Sequence, residues 1–285
     1  MSLRHELASR ALDFGGWINR QLLARLHLRG SRLISEAEFA RVISWLSPVE
    51  AGHSLVRVGD DGDGGYLLPD DLEDIAACLS PGTDDRISFE RFFRSRDVPC
   101  YLADASLAAS PEPDDELIVF SRCFIGASTG GEFLSLGDWV LSSRVPEAGD
   151  LVMQMDIEGW EYQVLLSCPE SLLERCRVLV IEFHDFHRCL DLYRFRDVLD
   201  PLFSRLSRIF DPVHIHANNA SFVFDYAGFA CPSAFELTLH RRDRRVSEPS
   251  SVVSALPNVL DFPNCPNRPD HSDFARGWPC HRSWS

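Results

Sequence analysis

Between residues 75 and 215 the chain alternates short apolar runs with segments long enough to cross back over a sheet, and that alternation restricts the fold more than any other feature. The runs cover residues 75–79, 99–103, 117–120, 151–155, 178–183 and 213–215, and residues 88–96, 162–166 and 192–206 supply helical crossovers between them. Strands joined in this way pair in parallel, and a parallel sheet needs both faces covered. Two further runs, 221–224 and 235–239, read as an antiparallel hairpin that closes the sheet. The expected fold is α/β: a Rossmann-like, mainly parallel sheet with a terminal antiparallel hairpin.

Flanking this core are two segments of different character. Residues 1–50 carry apolar side chains at helical spacing, among them Leu7, Leu12, Trp17, Ile18, Leu22, Leu23 and Leu26, then Phe39, Val42, Ile43 and Leu46. They predict a helical N-terminal extension whose first, basic and amphipathic helix packs on the core, on a second copy in a homo-oligomer, or on a membrane surface. Residues 246–285 are rich in proline and asparagine, without periodicity, and predict an extended tail wrapped on the domain formed by residues 51–245.

Charge narrows the function. A formal net charge of −15, with no lysine and all 28 basic side chains arginine, opposes a broad grip on phosphate backbones, so no nucleic-acid partner is expected. The cluster Arg241, Arg242, Arg244 and Arg245 reads as a solvated strand end. Nine scattered cysteines form neither a disulfide framework nor a zinc pattern. No run of eighteen apolar residues occurs and the N-terminus lacks the order of a signal peptide, so the expectation is a soluble, cytoplasmic protein.

Ligands of open parallel sheets sit beyond the carboxyl ends of the strands. There the first run is followed by Ser80, Pro81 and Gly82, then by Ser88 and Glu90 at the start of a helix; small residues let a cofactor approach the backbone. The second run ends in Asp104, placed to accept the hydroxyl hydrogens of a ribose. The GxGxxG fingerprint of dinucleotide binders is absent and the loop is acidic, which disfavours a pyrophosphate. Upstream, Asp60, Asp61 and Asp63 crowd a glycine-rich loop that lacks the spacing of a calcium-binding EF-hand. The run 151–155 ends in Asp156, Ile157, Glu158, Gly159, Trp160 and Glu161, where acids can orient a hydroxyl, bind a metal or cap a helix.

This last segment resembles the signature of the FkbM-type methyltransferases. Asp63-Gly64-Gly65-Tyr66, Ile87-Ser88-Phe89-Glu90, Phe124-Ile125-Gly126 and Ile181-Glu182-Phe183-His184 agree in order, and the resemblance spans roughly residues 55–225. It implies a class I methyltransferase fold that uses S-adenosylmethionine to methylate an oxygen, commonly a hydroxyl of a sugar or secondary metabolite. It further implies that Ser80, Gly82, Ser88, Glu90, Asp104 and Asp156 line the cofactor, with Asp156 at the reaction centre. Ser80-Pro81-Gly82 departs from the family pattern in being stiffer.

Two histidine groups complete the candidates. Glu182 and His184 follow one run, while His214 and His216 alternate on another and so face one side, with Asn218 just beyond. One reading is a divalent metal, magnesium or manganese, on Asp156, Glu182, His184, His214 and His216. The other gives these side chains direct polar roles, with His184 or His214 as general base oriented by Asp156, and Asp63, Tyr66, Glu158 and Asn218 on a small-molecule or glycan acceptor. A nicotinamide-dependent oxidoreductase and a non-catalytic cofactor-binding subunit are the competing functions.

Overall fold

The computed structural model describes residues 32–50, 52–248 and 256–278. The helices read in residues 1–31 lie outside the described residues. Helix α1 (Glu36–Leu46) is present: Ser35 caps it, its hydroxyl accepting from the Glu38 amide while the Glu38 carboxylate accepts from the Ser35 amide. Its buried face, Phe39, Val42, Ile43, Trp45 and Leu46, packs on the core.

A hairpin of β1 (Leu55–Val58) and β2 (Tyr66–Pro69) precedes the main strands β3 (Ile75–Pro81), β4 (Cys100–Ala103) and β5 (Ile118–Ser121), with α2 (Ser88–Arg94) as the first crossover. A short parallel pair, β6 (Phe124–Gly126) and β7 (Phe133–Ser135), leads into α3 (Leu136–Ser142). Then come β8 (Asp150–Met155), α4 (Glu161–Ser167) and β9 (Cys176–Phe183). Leu192–Arg194, a π turn Phe195–Leu199 and α5 (Asp200–Ile209) form one continuous crossover into β10 (Phe210–Ala217). After a small hairpin of β11 (Val223–Tyr226) and β12 (Phe229–Pro232), β13 (Phe235–Arg241) returns to the sheet.

The seven-stranded sheet has the order β10-β13-β9-β8-β3-β4-β5. Strands β3, β4, β5, β8 and β9 pair in parallel, and β13 runs antiparallel to both β9 and β10. The terminal antiparallel element is therefore present, but its strands differ from the sequence expectation. Residues 235–241 pair with 210–217, not with 221–224. The reason is local: Ala227 and Gly228 take φ of 53° and 84°, a two-residue turn that folds 223–226 onto 229–232 and leaves β13 free to insert between β9 and β10.

Period-two alternation divides the core. Leu79, Leu151, Met153, Met155, Leu179, Ile181, Phe183 and Leu237 point to the face covered by α1, α3, α4 and α5. Cys78, Leu102, Val152, Val178 and Val180 point to the other face, beneath α2 and the β1–β2 hairpin. At the carboxyl ends of the parallel strands this second face turns polar. Gln154 and Asp156 continue from Val152, Glu182 continues from Val180, and Glu182 pairs across to Glu236, which pairs across to His216. Among the described residues the cysteines are free thiols, and no helix is long and apolar enough to cross a membrane.

Candidate active site

A cavity of ≈ 740 Å³ opens where β3, β4 and β8 end. Gly82 joins two of its walls: at φ +86° its amide donates to the Ala103 carbonyl at 2.8 Å, and a Cβ there would stand 1.7 Å from the Asp156 carbonyl oxygen. Only glycine permits this approach. Of the residues expected at the cofactor, Gly82, Glu90, Asp104 and Asp156 line the cavity. Ser80 and Ser88 stand behind the wall. Ser80 is fully buried, and the Ser88 hydroxyl accepts from the Asp60 amide at 3.0 Å, tying the acidic glycine-rich loop to α2.

Asp104 accepts the Ser106 amide on Oδ1 at 2.5 Å, leaving its other oxygen free. Glu90 is buried, and burial pushes its carboxyl up to about 7 against the opposing hydrogen bond from Ser80. Across the cavity stand Asp63 and Tyr66, the latter accepting from Gln154 Nε2 at 3.1 Å. The wall carries seven carboxylates, of Asp63, Asp84, Asp85, Glu90, Asp104, Asp156 and Glu158, against one cation, Arg86. Arg86 is already committed, at 2.6 Å to Asp63 and 3.0 Å to Asp84.

The floor is built by the segment after β8. Glu161, the first residue of α4 and 0% exposed, accepts on Oε1 from the Ile157 amide at 3.1 Å and the Gly159 amide at 3.0 Å, so the chain wraps around its carboxylate. Glu158 (φ 56°) and Gly159 (φ 100°) make the reversal that this wrapping needs. The same Oε1 stands 3.1 Å from His184 Nδ1. That contact turns His184 Nε2 toward Asp156 Oδ1 (3.9 Å), Glu158 Oε2 (3.9 Å) and Glu182 Oε1 (3.7 Å). Burial opposes a charge on His184, but the Glu161 hydrogen bond and the Glu182 and Asp156 carboxylates outweigh it and hold the imidazole up at about 10. Burial, with Glu182 next to it, drives the Asp156 carboxyl well above the usual carboxylate range. Asp156 Oδ1 and Glu161 Oε2 are buried without a hydrogen-bond partner.

The remaining candidates separate from this floor. His214 Nε2 meets Asp261 Oδ1 at 2.9 Å, and His216 lies between Glu236 Oε2 (3.3 Å) and Asp270 Oδ2 (3.1 Å). Both acids of the C-terminal segment close over β10, and neither histidine lines the cavity; of the floor group, Asp156 and Glu158 line it, with Glu161, Glu182 and His184 behind them. Asn218 does not line it either; its Nδ2 donates to Glu182 Oε1 at 2.5 Å. The five-residue metal set of the sequence reading is thus not assembled. Among the described residues Asp156, Glu161 and His184 instead present one ligand atom each within 4.8 Å of one another. Glu161 carried no assigned role in the sequence; the usable signal was an acid two residues after a turn glycine, at a helix start. A second such group, His53, Asp71 and His240, is an ion network, because Arg177 and Arg244 also bond Asp71. Those arginines and His240 outweigh burial and bring the Asp71 carboxyl to about 2.

The profile of the methyltransferase FkbM domain matches residues 148–209, from the start of β8 to the end of α5. The matched segment contains the whole floor from Asp156 to His184, covers less than a quarter of the chain, and suggests a methyltransferase. No curated protein matches the chain.

Proposed function

We propose that the chain is an S-adenosylmethionine-dependent O-methyltransferase acting, in the cytoplasm, on a hydroxyl of a carbohydrate or related polyhydroxy metabolite. The observation that carries this reading is the meeting, in one acid-walled cavity, of Asp104 after β4 with Asp156 after β8. The free oxygen of Asp104 suits the hydroxyls of an adenosine ribose. Seven acidic side chains against one committed arginine, even with burial favouring the neutral forms of Glu90 and Asp156, suit a ligand that carries a sulfonium and an ammonium, and disfavour the pyrophosphate of a nicotinamide dinucleotide. The antiparallel β13 on an otherwise parallel sheet fits the methyltransferase variant of the doubly wound plan. Free thiols fit a reducing compartment.

The bound sulfonium supplies the methyl group. The chain must hold the acceptor oxygen in line and take its proton as the new bond forms. Asp156, which lines the cavity and whose buried Oδ1 has no partner, is the group to which the acceptor hydroxyl donates. His184, fixed through Nδ1 on Glu161, directs its other nitrogen at Asp156, Glu158 and Glu182 and offsets their charge. This moves the base from the histidines of the sequence reading to the aspartate. Asp156, Glu161 and His184 also fit a divalent cation, magnesium or manganese, through the orphaned oxygens of the two acids. Such an ion would supply Lewis acidity toward the acceptor hydroxyl.

Calorimetric titration with S-adenosylhomocysteine, with and without magnesium or manganese, tests the reading. Binding weakened roughly 10- to 100-fold in Asp104→Ala is expected, the loss of hydrogen bonds to a charged group. Absence of binding under every metal condition would sink it. A non-catalytic cofactor-binding subunit would bind the same ligand and transfer no methyl group to any hydroxyl acceptor.

A further inference from the structure

Trp160 is 48% exposed, yet it directly follows the Glu158–Gly159 reversal that fixes Asp156 and lines the same cavity. The left-handed conformations of Glu158 and Gly159, held by the Glu161 carboxylate, bring Asp156 and Trp160 to one chamber from a single five-residue loop. Behind Trp160 the aromatic surface continues inward. Its ring centroid lies 5.6 Å from that of Phe133, which lies 5.5 Å from that of Phe124, and all three rings line the cavity. Gly126 makes this possible, since a Cβ there would stand 2.9 Å from the Phe133 ring. One side of the chamber is therefore aromatic and apolar, its successive rings tilted by 36° and 47°. The other side, Asp63, Asp156 and Glu158, consists of groups that only accept hydrogen bonds when ionised.

We propose that Trp160, backed by Phe133 and Phe124, is the acceptor platform, and that it takes the C–H face of a pyranose ring bearing no anionic group. The proposal rests on the methyltransferase reading and deepens it. A pyranose offers what the chamber asks for: an apolar face of axial C–H bonds for the indole and a rim of hydroxyl donors for the carboxylates. A planar aromatic acceptor would satisfy the stack and leave most of the carboxylates without donors. A uronic acid or sugar phosphate would bring a charge that the wall repels, because Arg86 is held by Asp63 and Asp84. The shared loop couples the two halves of the site, so the ring laid on Trp160 delivers an edge hydroxyl to Asp156.

Saturation-transfer NMR in the presence of S-adenosylhomocysteine tests this with methyl β-glucopyranoside, methyl β-galactopyranoside, methyl α-rhamnopyranoside and methyl glucuronide as probes, on the wild type, Trp160→Ala and Trp160→Phe. Transfer to C–H protons of at least one neutral glycoside and none to the glucuronide is expected. Trp160→Ala weakens that binding about tenfold and Trp160→Phe about threefold or less, while S-adenosylhomocysteine affinity by calorimetry stays unchanged in both. If the wild type binds S-adenosylhomocysteine but none of the neutral glycosides, the platform is wrong and the cofactor reading stands. Equal glycoside affinity in Trp160→Ala overturns it too, as does a parallel loss of S-adenosylhomocysteine binding, which would put the indole against the cofactor. A wild type that binds no S-adenosylhomocysteine removes the methyltransferase reading and the platform with it.

Discussion

Two histidine nests lie along the same polar edge of the sheet, and they are finished differently. In the nest around His216 and His214 each histidine has its carboxylate at 2.9–3.3 Å, supplied by Glu236 on the neighbouring strand and by Asp261 and Asp270 of the C-terminal segment. In the nest around His184 only Glu161 is within hydrogen-bond reach. Asp156, Glu158 and Glu182 stand 3.7–3.9 Å from Nε2, and two buried carboxylate oxygens have no partner. In the first nest the protein itself supplies a partner to each carboxylate oxygen, although the His214 Nδ1 ring nitrogen is left buried without one. The second is left for something else to complete, and two of its acids, Asp156 and Glu158, line the cavity. Buried polar groups are costly when unsatisfied, so a set that remains unsatisfied on a cavity wall marks chemistry, whereas a satisfied set marks structure.

That contrast breaks most sharply at Asp156. Asp156→Asn keeps the shape of the floor and removes the proton acceptor, so methyl transfer should fall by roughly 10²- to 10⁴-fold. Product formation followed by mass spectrometry, with S-adenosylhomocysteine affinity measured on the same preparation, separates lost chemistry from lost binding. A variant that retains a tenth or more of wild-type turnover would mean that the unsatisfied nest is not the reaction centre.

His216→Ala should do the opposite. It leaves the buried Glu236 and the half-buried Asp270 without their counter-charge, a change that costs up to about 3–5 kcal/mol by comparison with fully buried pairs. Denaturant unfolding reads that loss, and the folded fraction should keep its affinity for S-adenosylhomocysteine. Alkali removes the same charge without a mutation, together with that of His184, which is also held up at about 10. Burial opposes the His216 charge, but the Asp270 and Glu236 hydrogen bonds raise it to about 10 from an ordinary value near 6.5. Because the folded value is the higher one, this stabilisation is fully present below about pH 6.5 and is lost as pH rises through about 10. Glu182, raised by burial to about 7, adds a loss of stability between its ordinary range and neutrality. The melting temperature of the wild type should therefore fall between pH 7 and pH 10, and the fall should shrink in His216→Ala.

How much of this the sequence carried depends on the distance between partners. Strands β3, β4, β5, β8 and β9 were legible because each is an apolar run bounded by its own breakers, and the positions of Gly82, Asp104 and Asp156 follow from the rule that sites gather at strand ends. The closing strand pair was misassigned because Ala227, at a left-handed turn position, carries none of the usual turn chemistry. His214 and His216 were read correctly as sharing a face, and the FkbM motifs gave no hint of where that face leads. Their partners Asp261 and Asp270 lie 47 and 54 residues downstream in a segment without periodicity. Contacts made at that range leave no local pattern to read. Glu161 was visible as a residue and invisible as an organiser, since its work is done through backbone amides of the loop before it.

The smallest effect concerns the histidine that sequence reasoning offered as an alternative base. His214→Gln keeps an amide donor for Asp261, which also accepts the Asn258 amide at 2.7 Å, so the closed nest should lose only about 1 kcal/mol, one hydrogen bond weakened in a site that stays filled. Turnover per folded molecule should stay within about twofold of wild type, since a side chain behind the C-terminal segment makes no contact with the reacting oxygen. The pairing of these two numbers matters more than either alone. A small loss of stability with turnover intact keeps the two nests separate in function. A tenfold loss of turnover at unchanged melting temperature would instead join them, by showing that the polar edge running from Asp156 through Glu182 and Glu236 to β10 acts as one charge-coupled unit during the transfer.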